Sequence, residues 1–120
     1  MADIRYALQF TYSKSGRTIH LPPVAIDVDS SKTGIISGII TVPSANALAL
    51  PLDGVTDAGM CVFRNLSADN AIEIGIDDNG FVSQDTLPPG GLCVRFMDTR
   101  GPIAKAQTAP SLLEYTIIDQ

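Results

Sequence analysis

The chain has 120 residues, of which 45% are hydrophobic and 18% are charged, and its formal net charge is −5. The apolar fraction is typical of a folded protein and argues against disorder. The acidic balance argues against direct binding to nucleic acid, a polyanion that proteins hold mainly through Lys and Arg. A chain of this length is predicted to form one domain, over residues 1–120.

Alternation of apolar and polar side chains predicts strands in the first part of the chain. Residues Ile4 to Tyr12 alternate without interruption and predict one amphipathic strand, which ends in a turn at Ser13–Gly16. An extended segment over Arg17–Leu21 and a half-exposed strand over Val24–Asp29 follow it. This pattern is typical of sheets with one buried face.

The most apolar region, Thr33–Leu52, resembles a transmembrane helix at first sight. A spanning helix needs about 20 mainly apolar residues, whereas Ser, Thr, Asn and Pro interrupt this region and its β-branched residues favour a strand. We therefore predict a strand over Ile35–Val42, a turn over Pro43–Asn46 and a short strand or a helical turn over Ala47–Leu50. No membrane partner is predicted.

Four β-prone segments over Gly59–Phe96 form the centre of the predicted fold. Ile72–Asp77 alternates, and Asn79-Gly80 follows it as the pair best suited to a type I′ hairpin turn, in which both central residues have positive φ. Pro88–Gly91 cannot continue a strand, because proline lacks an N–H group and glycine permits a reversal. Strands here are apolar on both sides, which suits a sandwich or a subunit interface.

We predict a short strand over Ile103–Ala106, where a helical turn is the alternative, and a final strand over Leu112–Ile118. About eight to ten short strands at regular spacing, with Gly and Pro at the turns, predict an all-β fold. We expect a single-domain β-sandwich or a jelly-roll-like barrel.

The chain offers few residues for catalysis or metal binding. His20 is the only histidine; a hydrolase would have to rest on it alone, and no nucleophile motif accompanies it. Cys61 and Cys93 are too few for a zinc site. They are expected as buried thiols, and a bridge between them stays open if their strands are neighbours. We predict no catalytic residue, no metal site and no cofactor, and hence no enzyme.

Three segments of the second half carry a resemblance: FRNLSADNAIEIGIDDNGF, LPPGGLCVRF and IAKAQTAPSLLEYTIID. From Asn65 to the C-terminus the pattern resembles small structural proteins of tailed bacteriophages, of the capsid decoration or cement type. The resemblance implies a virion protein, assembled in the host cytoplasm, that stabilises the head by binding the major capsid protein or other virion proteins.

Low charge and the isoleucines near Ile35–Val42 suit a surface that assembly buries. We assign a partner interface to five residues of this segment: Ile35, Ile36, Ile39, Ile40 and Val42. A homodimer or homotrimer is the natural building block.

Two other functions stay open from the residues. A head–tail connector or tail-tube component belongs to the same class of virion protein. A carbohydrate- or peptide-binding β-sandwich belongs to another class, and Tyr6, Tyr12 and Tyr115 are the only phenols that it could use.

Overall fold

The computed structural model describes residues 4–7, 9–21, 26–28 and 34–119. These residues form twelve β-strands and contain no helix, which confirms the all-β prediction. Their contacts divide the chain into two compact units, Met1–Ser31 and Lys32–Gln120. That the two units act as a single domain over residues 1–120 stays a prediction.

The described residues of the first unit form four short strands in two antiparallel pairs. β1 (Ile4–Tyr6) pairs with β4 (Ile26–Val28), and β2 (Phe10–Lys14) pairs with β3 (Arg17–Leu21). The single strand predicted from Ile4 to Tyr12 is therefore wrong. Its two halves pair with different strands, and alternation cannot reveal this because both halves alternate. The middle of the strand predicted over Val24–Asp29 corresponds to β4, and both ends of that prediction lie outside the described residues.

A two-residue turn joins β2 to β3. Lys14 pairs with Arg17, and between them Ser15 and Gly16 have φ angles of 51° and 76°. Positive φ at both positions is the geometry of a type I′ hairpin turn, whose twist matches that of the strands. The turn predicted over Ser13–Gly16 is thus confirmed in its second half, while Ser13 and Lys14 belong to β2.

The second unit contains eight strands in two antiparallel sheets: β5 (Ile35–Val42), β6 (Leu48–Ala49), β7 (Ala58–Asn65), β8 (Ile72–Asp77), β9 (Phe81–Leu87), β10 (Leu92–Thr99), β11 (Ile103–Ala106) and β12 (Ser111–Asp119). The first sheet has the order β10-β7-β12-β5, and the second has the order β6-β11-β8-β9. β5 has the predicted bounds, and β6 and β11 are strands rather than helical turns. No helix long and apolar enough to cross a bilayer occurs in the part of the chain that the structure describes.

The strand order is that of one long hairpin rolled into two sheets. β8 pairs with β9, β7 with β10, β6 with β11 and β5 with β12, so each outer pair encloses the next one. The midpoint of every pair falls between residues 76 and 80. Two further pairings, β7 with β12 and β8 with β11, complete the sheets. This nested order is a jelly roll, one of the two architectures predicted.

One hydrophobic core lies between the two sheets, which makes the unit a sandwich. The fully buried apolar side chains of the strands come from both sheets: Val42, Ala58, Cys61, Phe63, Leu113 and Ile117 from the first, and Ile72, Ile74, Ala104 and Ala106 from the second. Burial of this apolar surface supplies the main driving force for folding.

The hairpin between β8 and β9 lies at the centre of the rolled chain. Asn79 and Gly80 have positive φ angles of 58° and 116°, as predicted. The loop, however, has three residues rather than two, because Asp77 pairs with Phe81. The carboxylate of Asp77 accepts the Gly80 N–H at 3.0 Å, which fixes the loop from the strand side.

Candidate partner-binding surface

The outer face of the first sheet carries large apolar side chains exposed to solvent. Residues directly opposite one another share a face, and the register places Leu92, Arg64, Glu114 and Ile39 in one row across the sheet. Among the described residues, five of the seven exposed large hydrophobic side chains lie on this face: Ile35 at 61%, Ile39 at 59%, Leu92 at 55%, Phe96 at 54% and Leu112 at 48%.

A polar centre interrupts this apolar face. Arg64 and Glu114 form an ion pair, with 2.9 Å between the Nη2 and Oε1 atoms. A shallow depression of about 300 Å³ lies beside it, and the small residues Ser37, Gly38 and Thr116 line it next to the Glu114–Ile39 pair. An exposed ion pair contributes only about 0–1 kcal/mol to stability. Its effect here is to place two charged groups between the exposed apolar side chains of this face.

The outer face of the second sheet has a different composition. Register places Glu73 between Thr86 and Lys105, and Gly75 opposite Ser83. These polar and charged residues form the kind of surface that stays in contact with water. The two sides of the sandwich are therefore unequal, and the first sheet offers the apolar one.

The predicted interface segment is split by the alternation of β5. Ile35 and Ile39 lie on the exposed outer face, whereas Ile36 and Ile40 point inward and pack against the core. Val42 is completely buried within the core. Of the five assigned residues, only Ile35 and Ile39 offer surface to a partner, and an interface role for the segment stays a prediction.

Sequence reasoning missed the rest of the surface. Leu92 and Phe96 alternate on β10, but Cys93 and Met97 are also apolar, so the pattern does not say which side faces the core. Leu112 lies at the start of β12, far from β10 in sequence. Only the strand order of the first sheet brings these residues to one face.

A charged cluster joins the two sheets at the open edge of the sandwich. Arg95 points inward from β10 and forms an ion pair with Asp85 of β9, and the Cys93 thiol donates to the same carboxylate at 3.8 Å. A cavity of about 140 Å³ lies beside Arg95. This ion pair connects a strand of the first sheet to a strand of the second. Because Asp85 neutralises the Arg95 guanidinium, the cluster is a poor binding site for an anionic ligand.

The two cysteines lie on neighbouring strands, β7 and β10, and both are unbridged thiols. The pKa of the Cys61 thiol is raised from 9.0 to about 12; burial is the main cause, the charge of Cys93 adds to it, and Arg95 opposes both. Burial and then Asp85 also raise the pKa of Cys93. The prediction of buried thiols is correct for Cys61, and Cys93 is partly buried. A thiol with a raised pKa is a poor nucleophile at neutral pH.

The other candidate residues from the sequence are His20 and the three tyrosines. His20 is exposed on β3, and its Nδ1 atom lies 3.0 Å from the hydroxyl of Thr11 on the neighbouring strand. Tyr115 points into the core beneath Gly38 and is only 7% exposed. The side chains of Tyr6 and Tyr12 lie outside the described part of the chain. Within that part, no three His, Cys, Asp or Glu side chains gather in a metal-binding cluster.

No model of a protein family matches the chain, and no curated protein matches it either.

Proposed function

We propose that this chain is a non-enzymatic structural protein of a tailed-bacteriophage virion, and within that class a capsid decoration protein. It binds neighbouring capsid subunits through the outer face of the first sheet. The observation that carries this proposal is the concentration of Ile35, Ile39, Leu92, Phe96 and Leu112 on that single face. Large apolar side chains that are exposed together on one face favour a protein-interaction site, because water solvates them poorly.

The polar centre of that face refines the proposed partner. The Arg64–Glu114 pair and the depression beside Thr116 favour a partner with an apolar surface that inserts one small polar group at its middle. Membrane lipid fits less well, because burying an ion pair in hydrocarbon costs several kcal/mol, on the order of the penalty for any unsolvated charge. A protein surface can supply matching hydrogen bonds.

Two further arguments support a virion role. The second half of the sequence resembles small phage structural proteins, and jelly rolls are common among viral capsid domains. The fold argument is an analogy, because one fold serves many functions. The net charge of −5 favours a position on the outside of the shell, away from packaged DNA.

Quantitative mass spectrometry of purified particles from the virus that encodes this chain tests the proposal. A decoration protein is expected in hundreds of copies per particle, and particles that lack it are expected to lose their DNA at lower temperature. A few copies per particle would indicate a connector or tail component instead. Absence of the chain from purified particles would overturn the virion assignment.

A carbohydrate-binding module is the competing function from another class. It requires exposed aromatic rings against which sugar rings pack, and Tyr115, one of its three phenols, is buried. Binding on a glycan array that Tyr12→Ala abolishes, together with absence from particles, would favour that module.

A further inference from the structure

The edge strand β5 has the properties of a self-association site. It is the end strand of the first sheet, it pairs with β12 over eight consecutive residues without a bulge, and no described strand pairs along its other side. An edge strand presents a row of backbone N–H and C=O groups that can hydrogen-bond to another strand.

The register shows which backbone groups face this open edge. Asp119 N–H donates to Gly34 C=O at 2.8 Å, and Leu66 N–H donates to Leu112 C=O at 3.0 Å. In an antiparallel pair, alternate residues exchange hydrogen bonds with the partner strand. Even-numbered residues of β5 therefore bond to β12. The N–H and C=O groups of Ile35, Ser37, Ile39 and Thr41 point away from β12, toward the open edge.

The other sheet edges of this unit carry features that discourage pairing with another chain. β6 has two residues, β9 contains Asp85 and an irregular register, and β10 contains Arg95 and a register shift between Phe96 and Thr99. Short strands, bulges and charges are the usual means of protecting an edge. β5 has none of them, and no residue of Thr33–Leu52 is charged.

We infer that two copies of this chain associate through antiparallel pairing of β5 with β5 of the second copy. A two-fold axis near Gly38 pairs odd-numbered residues of one copy with odd-numbered residues of the other. The backbone N–H and C=O groups that point toward the open edge in each copy then hydrogen-bond to each other. The same register keeps the outer side chains of both copies on one side, and the two sheets become one sheet of eight strands.

A second copy fits this edge better than a charged partner strand. The chain carries a net charge of −5, so two copies repel each other wherever their acidic residues meet. Along β5 no charge opposes a charge, and Ile39, which lies opposite Ser37 of the second copy, reaches Ile39 of that copy as a diagonal neighbour. The pairing also consumes both open edges, so association stops at two copies. This inference does not depend on the function proposed above.

Sedimentation equilibrium of the full chain at micromolar concentrations, with two variants and a control, tests the inference. Ser37→Pro removes an N–H from the open edge and leaves the hydrogen bonds to β12 intact, because proline is tolerated on an edge strand in that orientation. Ser37→Lys places a charge beside the axis. Both variants are expected to raise the dimer Kd by about tenfold or more. Ser83→Lys, which adds the same charge on β9, is expected to dimerise like the wild type.

Amide hydrogen exchange distinguishes the edge from other surfaces. In the wild-type dimer, the N–H groups of Ser37 and Ile39 are expected to exchange slowly, and in Ser37→Lys the N–H of Ile39 is expected to exchange quickly. Slow exchange of Gly38 and Ile40 in both proteins would show that β5 remains paired with β12 and that the variant is folded. A monomeric wild type, an open-ended aggregate, or a dimer that survives Ser37→Pro would overturn the inference.

Discussion

Asn65 connects three backbone segments at one end of the sandwich. Its side chain is completely buried, and its Nδ2 group donates to the carbonyl groups of Asn70, Leu87 and Pro88 at 2.7, 3.1 and 3.1 Å. Its Oδ1 atom accepts the Ser67 N–H at 2.9 Å. The end of β7, the start of β8 and the end of β9 are therefore held together by one amide.

We predict that Asn65→Ala destabilises the protein by about 2–4 kcal/mol, because four hydrogen bonds are lost at a completely buried side chain, among them the buried one to the Leu87 carbonyl group. Asn65→Asp is expected to destabilise it further, since a carboxylate would face three carbonyl oxygens. Urea unfolding followed by circular dichroism measures both. Leu66→Ala, at the exposed neighbouring position, serves as the control and is expected to cost less than about 1 kcal/mol. Equal stability of Asn65→Ala and the wild type would show that water replaces the amide.

The Cys61 thiol gives a prediction about alkaline pH. Its pKa is about 12 in the folded protein and 9.0 in its ordinary environment. Between these values the unfolded chain loses the proton and the folded chain retains it, so the free energy of unfolding falls as pH rises. The expected slope is about 1.4 kcal/mol per pH unit, and Cys61→Ala is expected to lack this component. Urea titrations of both proteins from pH 8 to pH 11 provide the measurement; parallel curves would contradict the prediction.

At the scale of elements, the hairpin of β8 and β9 contains a local irregularity with a clear cause. Ile74 pairs with Asp85 but Gly75 pairs with Ser83, so Gln84 is an extra residue in β9. A Cβ atom on Gly75 would overlap the carbonyl group of Val82. The bulge and the glycine therefore depend on each other.

Gly75→Ala is expected to destabilise the protein by about 3 kcal/mol, because two backbone segments must move apart to accommodate the methyl group. Ser83→Ala, on the strand directly opposite, keeps the bulge and is expected to change stability by less than about 0.5 kcal/mol. Thermal unfolding of both variants measures these two changes in stability. A small effect of Gly75→Ala would mean that β9 shifts its register without cost.

Local patterns predicted single elements well but could not predict how they pair. The β-branched run of β5 ends at Pro43, and both of its bounds follow from that composition. The break between Tyr6 and Phe10 could not be predicted from the sequence, because apolar and polar residues continue to alternate through it. Likewise, Ile35 and Ile39 follow from the sequence as surface candidates, whereas Leu92 and Leu112 join them only through the order of strands. Strand order is decided by packing between distant segments, which a local pattern does not contain.

At the scale of the whole molecule, the second unit has one polar outer face and one apolar outer face. Glu73, Ser83 and Lys105 occupy the first of these, and Leu92 and Leu112 lie on the second. A structural protein bound to a larger assembly needs this division, because one side contacts the assembly and the other contacts water.

We predict that Leu92→Lys combined with Leu112→Lys prevents binding to particles that lack the chain, while it changes stability by less than about 1 kcal/mol because both positions are exposed. Ser83→Lys combined with Thr86→Lys adds the same charge to the polar face and is expected to leave binding intact. Cosedimentation with the particles measures both. Binding by the first variant equal to that of the wild type would exclude the apolar face as the contact. Neither pair of substitutions lies on β5, so the result is separate from dimerisation.

The nesting of the strands also determines when each one is paired during synthesis. β8 and β9 are adjacent in sequence, whereas β5 ends at Val42 and its partner β12 begins at Ser111. At about 5–20 residues per second, the ribosome needs several seconds to make the intervening chain. Throughout that interval the nascent polypeptide displays an eight-residue, uncharged, β-prone segment without its partner. We therefore expect the yield of soluble protein to rise when a chaperone that holds nascent chains is present, and to fall when translation through residues 43–110 is slowed.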